Sequence, residues 1–279
     1  MPLDETYPQA VVFIVGWGSD ERGMREKKPL GTGFVVSMLA PIQAPVYMHS
    51  YVVSAAHGLR NEHLETWVRF NCEGGRTHDE PVPKWYCHPT QDVAVFPLGH
   101  IDAPVVSATV PTFAFLDAER PPDLWPQLGD RVYFIGLLSS LTAMAEANIP
   151  MVRSGSLGRM YQENIPLRIG PNEMFNINKG HLIDCRSYQG FSGSPCFVQF
   201  QPGHGKPLGD ATALLGLMAG HFDDWVEAEV TGDIFGTVRT PVNTGVGIVV
   251  PAEAITDALN LDELVELRER RPSAPPVPR

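Results

Sequence analysis

Short apolar or alternating runs recur along the chain, with glycine and proline between them. Such runs are typical of the strands of an antiparallel β-protein. They lie at 10–15, 33–37, 51–54, 67–70, 92–97, 131–135, 194–200, 213–218 and 246–250. The 26 glycines and 26 prolines suit many turns and suit long helices poorly. The pattern therefore predicts an all-β sandwich or barrel.

One helix is predicted near the end of the chain, over 252–271. Pro251 precedes its first turn, apolar residues recur at helical spacing, and Arg268 and Arg270 fall in its last turn. The proline-rich tail at 272–279 is expected to be disordered. Around the middle of the chain, we expect a short helix over 142–148, then a strand at 151–154 with a hairpin partner at 157–161.

A proline-rich segment at 104–126 contains few regular runs, so we interpret it as a connection between two domains. A chain of 279 residues can hold one large β domain or two smaller ones. We expect an N-terminal domain over 8–103 and a C-terminal domain over 127–251.

The composition excludes several classes of function. Hydrophobic residues make up 43% and charged residues 19%, as in a folded globular protein. The formal net charge of −11 offers no dense cationic surface for nucleic acid. No apolar run approaches the ~18 residues of a membrane helix, and the first residues lack the features of a secretory signal. We therefore expect a cytoplasmic protein that binds neither nucleic acid nor membrane.

The cysteines and histidines give no sign of a metal site. Four cysteines lack C-x-x-C spacing, and the nine histidines include no pair at i, i+4. Reduced thiols are expected in the cytoplasm, although a Cys72–Cys87 bridge stays open for an exported chain.

The sequence Gly-Phe-Ser-Gly-Ser-Pro at 190–195 predicts a tight turn that presents the Ser192 hydroxyl beside backbone N–H groups. Alone, this pattern also occurs in ordinary turns. Upstream, however, His57 ends an apolar strand and Asp92 begins another. The three residue types match a nucleophile, a general base and an orienting carboxylate. Asp102 and Asp117 are alternatives to Asp92.

Six segments carry a resemblance to a known family: 31–36, 54–57, 92–95, 129–136, 190–195 and 247–251. In this order they resemble trypsin-like (chymotrypsin-fold) serine peptidases, and the bacterial branch without disulfides more than the digestive enzymes. The resemblance implies two six-stranded antiparallel β-barrels and a C-terminal helix. It also implies hydrolysis of protein or peptide substrates without a metal or organic cofactor, and it predicts no oligomeric state.

The resemblance also implies substrate-binding positions. The backbone N–H groups of Gly190 and Ser192 correspond to the oxyanion donors. Ala219, Gly220 and His221 correspond to the wall of the primary specificity pocket. Arg186, six residues before Ser192, corresponds to the pocket floor, where it would favour glutamate or aspartate. A surface position for Arg186 is the alternative, since this loop varies among such proteins.

Two residues depart from the family pattern. Phe191 replaces an acidic or small polar residue, which argues against activation by a new N-terminus. Ser194 replaces a glycine, so strain in the turn is expected. These departures favour a second hypothesis, a peptide- or protein-binding module on an inactive or weakly active peptidase fold. An α/β-hydrolase esterase is excluded because its histidine would come last and a helix would follow the serine.

Overall fold

The computed structural model describes residues 6–19, 23–39, 48–60, 65–116, 125–138, 147–170, 173–200, 212–230 and 236–270. Within these ranges the chain forms fourteen β-strands and two α-helices, together with three short 3-10 turns. No helix in these ranges is long and apolar enough to cross a membrane.

The first eight strands form one sheet. In chain order they are β1 (Val11–Ser19), β2 (Arg25–Leu39), β3 (Met48–Ser54), β4 (Thr66–Asn71), β5 (Thr77–Val82), β6 (Tyr86–Cys87), β7 (Ala94–Pro97) and β8 (Val110–Pro111). The sheet order is β5-β4-β1-β2-β3-β7-β6, and β8 pairs in parallel with β2. The remaining pairings are antiparallel, and they place the end of β3 beside the start of β7, with Ser54 opposite Ala94.

The other six strands close into a barrel. They are β9 (Arg131–Leu137), β10 (Pro150–Gly170), β11 (Glu173–Asp184), β12 (Pro195–Gln199), β13 (Thr212–Val230) and β14 (Gly236–Pro251). The barrel order is β10-β11-β14-β13-β12-β9. The serine turn at 190–195 lies between β11 and β12, so the barrel positions Ser192.

Two short helices follow the barrel, α1 (Ala252–Leu259) and α2 (Asp262–Arg270). Their apolar side chains Ile255, Leu259 and Leu264 are buried in the main core. The Arg268 guanidinium donates to the hydroxyl of Tyr51 on β3 at 3.1 Å. The C-terminal helices therefore also contact the N-terminal sheet.

The all-β prediction with a C-terminal helix is confirmed, and every apolar run named above contributes residues to a strand. The C-terminal barrel has the six strands expected. The N-terminal sheet has eight strands, because it includes two strands of two residues each: β6 lies at one edge, and β8 pairs with β2. The C-terminal helix is interrupted at Asn260 and Leu261. The domain boundaries stay a prediction.

One local prediction is wrong. Residues 151–154 and 157–161 are not hairpin partners, because both belong to the continuous strand β10. The first half of β10 pairs with β9 and the rest with β11. The predicted helix at 142–148 falls mostly outside the described residues, as does the tail at 272–279. All four cysteines are free thiols, so there is no Cys72–Cys87 bridge.

Candidate active site

The Asp92 side chain is joined to His57 by two hydrogen bonds, one to its backbone and one to its ring. His57 follows β3 after two small buried residues, Ala55 and Ala56, which leave space for its ring. Its backbone N–H donates to Asp92 Oδ1 at 2.7 Å, and its Nδ1 lies 2.7 Å from Asp92 Oδ2. Since an ionised carboxylate only accepts, Nδ1 carries the proton and the lone pair of Nε2 faces away from Asp92.

Asp92 is fully buried, and a buried carboxylate requires partners. The loop before it is organised by His88, whose Nδ1 accepts the N–H groups of Thr90 and Gln91 at 3.1 and 3.0 Å. Burial lowers the pKa of His88, and Arg60 lowers it further while Asp257 opposes the shift. A neutral His88 ring keeps this acceptor available.

The Ser192 hydroxyl completes the chain of contacts. Its Oγ lies 3.1 Å from His57 Nε2 and 3.0 Å from the carbonyl oxygen of Ala219. A hydroxyl has one proton, so these two acceptors compete for it. The structure therefore brings together His57, Asp92 and Ser192, which are distant in sequence, in a single hydrogen-bonded row.

Two glycines shape the serine turn. Gly190 and Gly193 have φ values of 100° and 87°, in the left-handed region that favours glycine. A Cβ on Gly193 would come within 2.0 Å of the Thr32 carbonyl oxygen, which excludes any other residue. Ser194 does not have a positive φ, so the strain expected at this position is absent. Its buried hydroxyl has no hydrogen-bond partner among the described residues.

Thr32 of β2 makes four hydrogen bonds, two of which join the serine turn to the N-terminal sheet. Its N–H donates to the Ser192 carbonyl at 2.8 Å, and its hydroxyl donates to the Gly190 carbonyl at 2.6 Å. The hydroxyl also accepts from the N–H of Leu137 at 3.0 Å, while the Thr32 carbonyl accepts from the Ser54 hydroxyl at 2.8 Å. The sequence marks residues 31–36 only through the family resemblance and does not show these partners.

The two N–H groups expected at the oxyanion site have no protein acceptor in the described part of the chain. The N–H groups of Phe191 and Gly193 donate to the carbonyls of Tyr188 and Met218 at 3.1 and 2.7 Å. No such bond involves the N–H of Gly190 or Ser192. Neither N–H group is therefore committed to another acceptor among the described residues.

Phe191 is completely buried, with its ring packed edge-to-face on Phe134 at 5.3 Å between centroids. The space that an acidic residue would need is thus filled by an apolar cluster.

The residues expected to bind substrate lie on two segments beside Ser192. Ala219 is buried, and the Nδ1 atom of His221 lies 2.7 Å from the hydroxyl of Ser187, a residue that the sequence did not single out. The Arg186 side chain is exposed and passes Gly245, where its Cγ lies 3.8 Å from the position of an added Cβ.

Of the two alternatives to Asp92, Asp102 does not reach His57. Asp102 is exposed and lies 3.2 Å from the ring of His100, while Asp117 falls outside the described residues. Nor do any three histidine, cysteine, aspartate or glutamate side chains within the described ranges form a cluster able to hold a metal ion.

A small cavity of about 20 Å³ adjoins the candidate active site on the side formed by the N-terminal half. It touches His57 and Ser192, and its apolar lining includes Ile14, Leu30 and Leu59 of the N-terminal half. The site thus has two sides, this cavity beside His57 and the β13 strand beside the Ala219 carbonyl.

Comparison with solved structures shows the fold. The protease domain of MamO from Magnetospirillum magneticum, in its apo form, is 19% identical, with a TM-score of 0.53 over 93% of this chain and 100% of that chain. Deg5 is 14% identical, with a TM-score of 0.49 over 91% of this chain and 88% of its own. The thermostable serine protease AL20 from an extremophilic microorganism is 11% identical, with a TM-score of 0.45 over 91% and 96% of the two chains.

No protein-family model matches the sequence, and neither does any curated protein. The likeness to the MamO domain shows that this chain has the chymotrypsin-like fold of trypsin-like serine peptidases, as its sequence motifs predicted.

Proposed function

We propose that the protein is a serine endopeptidase in which Asp92, His57 and Ser192 form the catalytic triad. The observation that carries this proposal is the row of contacts from Asp92 Oδ2 through the His57 ring to Ser192 Oγ, at 2.7 and 3.1 Å. A serine hydroxyl is a weak nucleophile until a neighbouring base takes its proton. His57 is that base, and Asp92 fixes its tautomer and stabilises the imidazolium that forms.

In the first half of the reaction, Ser192 Oγ attacks the carbonyl carbon of a peptide bond as His57 Nε2 takes the hydroxyl proton. The negative oxygen of the tetrahedral intermediate accepts hydrogen bonds from the N–H groups of Gly190 and Ser192. His57 then gives the proton to the leaving amine, and the C–N bond breaks. In the second half, His57 activates a water molecule that hydrolyses the acyl-enzyme. These steps require no metal or organic cofactor.

The proposed substrates are proteins or peptides whose backbone lies along the β13 strand. Ala219, Gly220 and His221 contribute the wall for the residue before the cleaved bond, and main-chain hydrogen bonds supply affinity. A role for Arg186 in substrate binding stays a prediction, and its exposed side chain favours the surface alternative. The cytoplasmic location likewise stays a prediction.

An active-site phosphonate probe tests the proposal, together with hydrolysis of a mixed peptide library. We expect labelling and cleavage by the wild type and neither by Ser192→Ala. Ser194→Ala is a matched control, because it removes an unpartnered hydroxyl from the same turn and should retain labelling. Full activity in Ser192→Ala would overturn the assignment.

A second candidate function is a peptide-binding module with little or no turnover. The specific observation in its favour is the Ala219 carbonyl, which lies as close to the Ser192 hydroxyl as the His57 ring does and competes for its proton. Peptide binding by the wild type without probe labelling or hydrolysis would favour this function over the enzyme.

A further inference from the structure

Ser187, His221 and Asp223 form a second row of hydrogen-bonded side chains next to the proposed catalytic site. Ser187 Oγ lies 2.7 Å from His221 Nδ1, and His221 Nε2 lies 3.2 Å from Asp223 Oδ1. Ser187 is only 3% exposed. The proposed triad uses none of these side chains, so the row has another role.

The tetrahedral intermediate shows where this row lies relative to a substrate, given the proposed function. One substituent of its central carbon is Ser192 Oγ, the oxyanion faces the free N–H groups of the turn, and the leaving nitrogen must be beside His57. The fourth substituent is the Cα of the residue before the cleaved bond. It takes the remaining side, where the Ala219 carbonyl lies 3.0 Å from Ser192 Oγ.

His221 faces this side of β13. A Cβ added to Gly220 would come within 2.6 Å of the Leu167 side chain, so Gly220 faces Leu167. Gly220 and His221 pair with consecutive residues of β14, and successive side chains of a strand point to opposite faces, so His221 points the opposite way. The His221 ring therefore extends from the strand beside Ser192 towards the segment that carries Ser187.

Both walls joined by this contact are fixed to β14. Asn243 Nδ2 donates to the Ser187 carbonyl at 2.8 Å, and the N–H of Cys185 donates to the Gly245 carbonyl at 2.8 Å. On the other wall, His221 pairs with Gly247 of the same strand. The Ser187–His221 hydrogen bond thus spans the space between two braced segments.

The contacts of His221 leave its ring with no free nitrogen for a charged side chain. Nε2 is paired with the Asp223 carboxylate, and Nδ1 is hydrogen-bonded to the Ser187 hydroxyl. Neither ring nitrogen is therefore free to bind a substrate group.

We propose that the Ser187–His221 hydrogen bond closes the deeper part of the pocket for the residue before the cleaved bond. The enzyme would therefore cleave after small, uncharged residues such as alanine. This inference rests on the proposed serine peptidase function.

The test compares aminoalkyl phosphonate probes that carry alanine-like, phenylalanine-like and glutamate-like side chains, since labelling needs no turnover. We expect the wild type to react fastest with the alanine-like probe. In His221→Ala, the rate for the phenylalanine-like probe relative to the alanine-like probe should rise by on the order of tenfold or more, a usual scale for hydrophobic pocket discrimination. Ser187→Ala keeps the His221 ring but removes the hydrogen bond that holds it in place. We therefore expect a smaller rise in the same ratio of labelling rates.

His100→Ala is the matched control, because His100 also pairs at 3.2 Å with the aspartate two residues later but does not line the site. Its labelling profile should equal that of the wild type. Preference of the wild type for a large or acidic side chain, or an unchanged ranking in His221→Ala, would overturn the inference while leaving the peptidase intact. Failure of every probe would overturn the proposed function and this inference with it.

Discussion

The backbone N–H of Thr32 donates a hydrogen bond of 2.8 Å to the carbonyl oxygen of Ser192, and the Thr32 hydroxyl holds the carbonyl of Gly190 at 2.6 Å. Two of the turn's carbonyl groups are thereby directed into the N-terminal sheet. The proposed nucleophile lies in the turn before β12 of the barrel, and the proposed base follows β3 of the sheet. Thr32, which is fully buried, connects these two parts.

Thr32→Val is expected to lower kcat much more than it raises KM. The substitution keeps the shape but leaves the Gly190 carbonyl and the Leu137 N–H without their partner, and each buried unpaired group costs about 1–3 kcal/mol. A shifted turn would misplace the oxyanion donors. Thr32→Ser retains the hydroxyl and should recover most of kcat. Equal kinetics in Val and Ser variants of similar thermal stability would contradict this role.

His57→Ala and Ser192→Ala should each lower kcat by several orders of magnitude, leaving a residual rate from the oxyanion donors and binding. Asp92→Asn should lower kcat by about 10⁴ with the fold retained, because an amide that donates to Nδ1 forces the proton onto Nε2. Steady-state hydrolysis of a peptide substrate measures these effects, and circular dichroism checks the fold. Wild-type rates in the His57 variant would show that another residue is the base.

The strand pattern and the candidate triad were accessible from the sequence because both depend on local signals. Apolar runs mark buried strands, and the proposed His57, Asp92 and Ser192 each sit at the end of a run or in a glycine turn. The sequence does not predict strand β11, because its apolar and polar residues alternate only over 175–178 before Lys179 and Gly180 break the pattern.

Contacts between distant segments were not accessible. The Ser187 hydroxyl contacts His221 because β14 holds the backbones of both segments in place. The sequence around Ser187 gives no sign of this contact. Thr32 and Gly190 are 158 residues apart, so no spacing rule links them. Nor does the sequence show that β10 is one continuous strand whose pairing partner changes from β9 to β11 along its length.

The intact chain should be active without cleavage near its N-terminus. Activation by a new terminal ammonium needs a carboxylate beside the nucleophile, whereas Phe191 packs there against Phe134. Intact-mass measurement of an active sample tests this expectation. Activity that appears only after a shortened species forms would refute it. Phe191→Ala should cost about 3–5 kcal/mol of unfolding free energy, because it leaves a cavity in the core.

Arg186→Ala should leave the cleavage profile of a peptide library unchanged. The guanidinium group belongs to an exposed side chain that passes Gly245. Substitutions at exposed positions usually change the free energy of unfolding by less than about 0.5 kcal/mol, so the variant should keep its fold. Cleavage after glutamate or aspartate in the wild type, lost in Arg186→Ala, would instead place this residue at the pocket floor. Arg131→Ala serves as the control, because Arg131, on β9, is also an exposed arginine.

The free energy of unfolding should fall as the pH is lowered from about 6.5 towards 3, because His181 resists protonation. Burial, and secondarily Lys179, lower the pKa of His181 to about 3, and its Nδ1 accepts the N–H of Tyr161. Below pH 6.5 the unfolded chain binds a proton that the folded chain excludes, so the free energy of unfolding falls by up to about 1.4 kcal/mol per pH unit.

Urea unfolding at pH 7 and pH 5 measures this effect. His181→Asn retains an acceptor without titrating, so its stability should fall about 2 kcal/mol less over that interval. His100→Asn, at an exposed position, should behave as the wild type. Identical pH dependence in His181→Asn and the wild type would show that His181 is protonated in the folded chain.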